Sequence, residues 1–171
     1  SGSVMLIETT HRSVLARIEG LGDLSHASAV FSRDGRHAYV FGRDGGLTKV
    51  DLLRARIVRR IVQSGNAIGG AISQDGRLVA VANYTPGGIR IFAAETLEAL
   101  SEVPTGAKVV GIADAPGNRF VFSLFEAGEI WVVDASNPKS PAVQKIPAIG
   151  KQPYDGFVTP DGRHYIAGLY G

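Results

Sequence analysis

The stretch Ser32-Arg33-Asp34-Gly35-Arg36 decides the fold because it returns. It reappears as Ser73-Gln74-Asp75-Gly76-Arg77 and as Thr159-Pro160-Asp161-Gly162-Arg163, and a degenerate copy runs over Asp114-Ala115-Pro116-Gly117-Asn118-Arg119. Gly35, Gly76, Gly117 and Gly162 are 41, 41 and 45 residues apart. A turn signal at this period, flanked by β-branched residues, marks the blade of a β-propeller. In each copy the glycine supplies the positive φ that a tight hairpin needs.

Working outward from each turn, every repeat reads as four short strands. Strand A precedes the turn, at 28–32, 68–73, 109–113 and 156–159. Strand B follows it, at 37–42, 78–83, 119–124 and 164–169. Strand C carries the alternating residues Leu47-Lys49-Asp51, Ile89-Ile91 and Ile130-Val132, and strand D runs over 56–63, 97–103 and 142–147. Helical periodicity is absent. Residues 4–8 and 13–18 read as the C and D strands of a blade lacking A and B, and 156–169 as A and B strands lacking C and D. The expectation is therefore an all-β chain with two half-blades around three full blades, about four blades' worth of propeller. This count favours part of a larger propeller over a four-bladed ring, since open sheet edges invite further pairing. Two copies closing one eight-bladed ring is a further expectation.

Composition agrees with a globular β protein. Hydrophobic residues make up 44% and charged residues 20% of the 171, and 22 are glycine. No apolar run approaches the roughly 18 residues of a membrane-spanning helix, and no signal peptide is visible. The opening Ser1-Gly2-Ser3 reads as a tag remnant or as the point where a longer chain is cut. The absence of cysteine excludes disulfides, thiolate nucleophiles and covalent haem attachment. The net charge of +2 comes from dispersed basic residues, which gives no argument for nucleic acid.

In a propeller the A–B turns lie on one face, while the B–C and D–A loops gather on the other. The repeated Asp-Gly turns thus mark a structural face, and the unrepeated residues belong to the opposite one. There the D–A loops place His26, Asn66, Lys108 and the run Lys151-Gln152-Pro153-Tyr154-Asp155. The B–C loops place Arg43, Asp44, Asn83, Tyr84, Glu126 and Tyr170. Arg43, Lys108 and Lys151 can grip carboxylates, or pair on the surface with Asp44, Glu126 or Asp155. Tyr84 and Tyr154 either stack on a flat ligand or pack their loops. His26 is either a loop histidine bonded to a backbone carbonyl or one axial ligand to a tetrapyrrole iron. A lone histidine cannot build a zinc site, but a macrocycle supplies the other donors. His37, His164 and His11 read as solvated turn residues. No serine triad, phosphate loop or metal-ligand cluster emerges.

The stretches 15–26, 39–51, 68–77, 120–131 and 150–155 together resemble the NirF-type heme d1 biosynthesis family, and the likeness runs along the whole chain. A more distant resemblance is to the heme d1 domain of cytochrome cd1 nitrite reductase, an eight-bladed propeller. The resemblance implies that residues 1–171 are the N-terminal half of such a propeller. It implies a periplasmic protein, with room for a lipid anchor on the full-length precursor. Its function would be to bind heme d1 or a late precursor during maturation or transfer of the cofactor to nitrite reductase, in denitrification. It makes His26 the axial ligand to the haem iron. It places Arg43 near the tetrapyrrole carboxylates, and the loop residues Asn83, Tyr84, Lys108, Glu126, Lys151, Tyr154 and Asp155 on the same face complete the expected cofactor-binding set. Partners would be the tetrapyrrole, nitrite reductase and other maturation proteins. Residues 152–155 hold no histidine where the reductase has a distal one, so nitrite reduction is not expected. Whether the chain modifies the precursor as an oxidoreductase or only carries it stays open. The alternative is a propeller interaction module without cofactor.

Overall fold

A computed structural model describes residues 2–171; Ser1, read above with Gly2 and Ser3, lies outside them. The described residues form sixteen strands. They are β1 (Ser3–Glu8), β2 (Ser13–Glu19), β3 (Ser28–Phe31), β4 (His37–Phe41), β5 (Gly46–Asp51), β6 (Arg56–Val62), β7 (Asn66–Ile72) and β8 (Leu78–Thr85). The second half holds β9 (Gly88–Ala93), β10 (Ala99–Pro104), β11 (Val109–Ala115), β12 (Arg119–Leu124), β13 (Glu129–Asp134), β14 (Ala142–Ile146), β15 (Pro153–Val158) and β16 (Tyr165–Leu169). Three antiparallel sheets of four consecutive strands, β3–β6, β7–β10 and β11–β14, stand between the two-stranded sheets β1–β2 and β15–β16. No helix among the described residues is long and apolar enough to cross a membrane.

The period of two along each B strand explains how the sheets stack. In β8, Val79 and Val81 pack against Tyr39, Phe41 and Leu47 of the preceding sheet. Their alternates Leu78, Ala80 and Ala82 pack against Phe120, Phe122 and Trp131 of the following one. β4 behaves likewise: Ala38 and Val40 meet Ile18 and Leu21, beside β1–β2. Val121 of β12 closes with Val158, Tyr165 and Ala167 of the last pair. Small residues face large ones, Ala80 and Ala82 against two phenylalanines that are fully buried. Each such ring contributes about 1.5–3 kcal/mol on burial. The A strands pack in succession, β3 on β7, β7 on β11 and β11 on β15. That approach needs glycine: a Cβ on Gly111 would come within 3.0 Å of the Asp155 Cα and closer still to the Tyr154 carbonyl oxygen.

The repeated turns carry one hydrogen-bond pattern. Ser32, Ser73 and Thr159 each donate a side-chain hydroxyl to the aspartate two residues on, at 2.5, 2.6 and 2.5 Å. That aspartate accepts the backbone N–H of Arg36, Arg77 or Arg163. The turns also lock neighbouring sheets. Arg33 donates to the Ile72 and Ser73 carbonyls at 3.0 and 2.8 Å and pairs with Asp114. Asn118 donates to Asp75 at 2.8 Å.

The structure corrects several boundaries. β8 runs on to Thr85, beyond the expected strand end at residue 83, so Tyr84 belongs to a strand rather than to a loop. β15 begins at Pro153, which puts Tyr154 and Asp155 in a strand as well. β10 begins at Ala99, because Leu97 turns the chain with φ 58°. Apolar side chains remain exposed on both two-stranded sheets: Met5, Ile7, Val14 and Leu15 at one end, Phe157, Ile166 and Leu169 at the other.

Candidate functional site

A second repeat, in the backbone, ties the B–C and D–A loops into one rim. Gly45, Gly87 and Gly128, each immediately before the third strand of a four-stranded sheet, offer their carbonyls to the chain just beyond strand D. Gln63, Thr105 and Ile149 donate to them at 3.0, 3.3 and 3.2 Å. These glycines recur at the repeat period, a signal in the sequence that the Asp-Gly turns overshadow. The first rim segment is braced further. Arg43 N–H donates to the Asp23 carbonyl at 2.8 Å, and the Asp23 carboxylate accepts from Ser25 N–H at 2.8 Å. The Ser25 backbone bond leads in holding the Asp23 carboxyl below its ordinary value.

On this rim the expected residues fall into two groups. Arg43, Tyr84, Lys108, Glu126 and Tyr154 come together from three sheets and the final strand pair. The Arg43 guanidinium lies 5.3 Å from the Tyr84 ring centre, and the Lys108 ammonium lies 5.9 Å from the same ring. Lys108 also meets Glu126 at 3.2 Å. Burial raises the Tyr84 phenol above its ordinary pKa, with Tyr154 and Glu126 adding to the rise and Arg43 opposing it. Tyr154 packs edge-on against Phe125 at 5.8 Å, and Phe125 meets Tyr170 at 6.2 Å. Phe125, in the turn before β13, carries no repeat signal of its own, and only tertiary contact joins its ring to those of Tyr154 and Tyr170.

Of the three surface pairs weighed from sequence, only Lys108–Glu126 forms. Asp44 is taken by Arg60 at 2.5 Å and by the N–H groups of Gly46 and Asp23. That leaves Arg43 on Tyr84. His26 and Lys151 stand apart: both are exposed, and among the described residues neither side chain has a hydrogen-bond partner. Asp155 is exposed on β15.

Asn83 occupies a different environment from its neighbour. Its residue is 2% exposed. Its amide exchanges bonds with Gln63 at 2.8 and 3.2 Å, and its oxygen also accepts from the Ser64 hydroxyl at 2.6 Å. With its polar atoms engaged below the surface, Asn83 braces the strand end that presents Tyr84. No trio of histidine, cysteine, aspartate or glutamate suited to a metal ion occurs among the described residues.

This arrangement can do two things chemically. Its two cations, held near one ring by interactions of about 0.5–1 kcal/mol each, suit an anionic ligand. Its linked aromatic rings suit a flat one. The apolar groove between β11–β14 and β15–β16, of about 560 Å³, lies elsewhere and is lined by Val121, Ile130, Val132 and Ile146.

Comparison with known proteins extends over the same residues. The cytochrome D1 heme domain family matches residues 1–171. Protein NirF of Pseudomonas aeruginosa is 60% identical over 178 aligned residues, which cover 99% of this chain and 45% of that protein. Dihydro-heme d1 dehydrogenase of the same organism is 31% identical over 82% of this chain and 30% of that protein. The solved structure of dihydro-heme d1 dehydrogenase NirN in complex with DHE superposes with a TM-score of 0.86 at 26% identity. It covers 98% of this chain and 37% of that one. The chain thus spans about half the length of the NirF proteins it matches.

Proposed function

The chain belongs to the cytochrome D1 heme domain family as a NirF-type member, and from that premise we propose that it holds heme d1 or a late tetrapyrrole precursor during cofactor maturation. The observation that carries this reading is the convergence of Arg43 and Lys108 on the Tyr84 ring, beside the Phe125–Tyr154–Tyr170 cluster. A tetrapyrrole is flat, apolar in the middle and carboxylate-bearing at its edge, and this rim offers the matching groups.

The residues present fit such a ligand. His26 precedes the inner strand β3 with its imidazole exposed. A tetrapyrrole would bring its own nitrogen donors to an iron, so the single His26 imidazole would suffice as the protein's ligand to it. Arg43 gives a planar fork and Lys108 a mobile charge for the side-chain carboxylates, and Lys151 is in reserve on the neighbouring loop. Tyr84 and Tyr154 would offer their rings to the flat macrocycle. In this reading the protein works outside the cytoplasm and passes its cargo to nitrite reductase.

Titration of the protein with heme d1, followed through the Soret and red bands, tests the proposal. Wild type is expected to saturate, and His26→Ala to lose the ligand-field change and bind at least tenfold more weakly. Absence of any spectral change in wild type overturns the reading and leaves a propeller interaction module. A change of ligand mass on incubation with an electron acceptor separates an enzyme from a carrier.

A further inference from the structure

We propose that Glu126 is not a ligand-binding group but the resting counter-ion of Lys108, a stand-in carboxylate that the ligand's own carboxylate displaces. This rests on the tetrapyrrole reading and deepens it, since it names the group that an acidic ligand has to displace at the rim.

The two backbones that carry the pair are fixed. Lys108 follows a loop in which the Thr105 hydroxyl donates to the Ala107 carbonyl at 2.6 Å and Thr105 N–H donates to Gly87. Glu126 sits in a turn closed by Gly128 N–H on the Leu124 carbonyl at 3.0 Å and tied to Ile149. The charged ends are free by contrast. The side chains are 53% and 49% exposed, and among the described residues each has only the other as an ionic partner. The neighbouring Asp44–Arg60 pair differs, because Asp44 also accepts two backbone N–H groups and belongs to the scaffold.

An exposed ion pair of this kind contributes little, so an incoming carboxylate exchanges with it at small cost. Lys108 also lies beside the Tyr84 ring, a second contact that does not depend on Glu126. A neutral ligand gains nothing from the exchange and leaves the pair closed. Glu126 therefore competes with the ligand's carboxylate for Lys108 and holds down the affinity for acidic ligands, while neutral ones are untouched.

Two probes test this on the full chain: iron coproporphyrin, with four carboxylates, and its tetramethyl ester. Dissociation constants come from Soret titrations. Glu126→Gln is expected to tighten the acid by about twofold to fivefold, the worth of an exposed pair, and to leave the ester unchanged. Lys108→Gln is expected to weaken the acid by a similar factor, and Glu126→Gln added to it gives no further gain. Unchanged or weaker acid binding in Glu126→Gln overturns the proposal, as does equal tightening of the ester. A wild type that binds neither probe removes the tetrapyrrole reading itself, and this inference with it.

Discussion

Replacing the hydroxyl of the repeated turn by hydrogen should cost very different amounts in different copies. Ser73 is fully buried. Its oxygen accepts Leu78 N–H at 3.0 Å and donates to Asp75 at 2.6 Å. In Ser73→Ala the Leu78 N–H loses its acceptor in a site closed to water, which costs about 1–3 kcal/mol. The Asp75 carboxylate also loses a bond. Burial pushes its pKa up, but the bonds from Ser73, Arg77 and Asn118 outweigh that and hold it well below the usual range. A total near 2–3 kcal/mol follows. Ser32 makes the same bonds, at 2.9 Å from His37 N–H and 2.5 Å to Asp34, but water reaches them. Ser32→Ala should cost about 1 kcal/mol. Thr159 forms its copy wholly at the surface, and Thr159→Ala should cost about 0.5 kcal/mol. Urea unfolding at pH 7 measures the series through the fluorescence of the sole tryptophan, Trp131, which is 5% exposed. With a slope of about 2 kcal/mol per molar, Ser73→Ala lowers the midpoint by ~1 M, Ser32→Ala by ~0.5 M and Thr159→Ala by ~0.25 M. Equal losses at all three turns would refute the reasoning, because burial is then not what sets the value of the bond.

Two more predictions use the same assay. Asn83→Ala should cost about 2 kcal/mol by orphaning buried Gln63. Adding Gln63→Ala should cost much less than it does alone, and strict additivity would show that the pair is not coupled. At low pH, Asp51 matters: Arg54 N–H leads in holding its carboxyl down to about 2, from an ordinary 3.8. A depressed folded-state pKa gives stability that is present above the unfolded value and lost as pH falls through the folded one. The wild-type midpoint should therefore drop between about pH 4 and 2. Asp51→Asn should start lower at pH 7 and fall less over that window. A parallel pair of curves would exclude Asp51 as a source of the acid sensitivity.

The blade architecture was legible because each blade is local in sequence. An antiparallel four-strand meander needs only short turns, alternating side chains and a glycine where φ must be positive, and all three recur in this chain. The rim was legible in outline, since blade order dictates which loops share a face. Its detail was not. Tyr84 and Asn83 are consecutive in β8, so the pleat sends one to the rim and the other beneath it. Phe125 joined the cluster only through Tyr154 and Tyr170, which belong to the next sheet.

The sequence alone determined a repeat, its period, the turn that closes each hairpin and the residues that alternate along each strand. These depend on backbone sterics and the period of two, which act over a few residues. Tertiary structure decided which cation meets which ring, which carboxylate is spent on scaffold and which copy of one turn is dry. Arg43, Tyr84, Lys108, Glu126 and Tyr154 come from different sheets. Their distances are set by how the sheets pack around the axis, and burial, which sets the strength of a hydrogen bond or an ion pair, exists only after that packing.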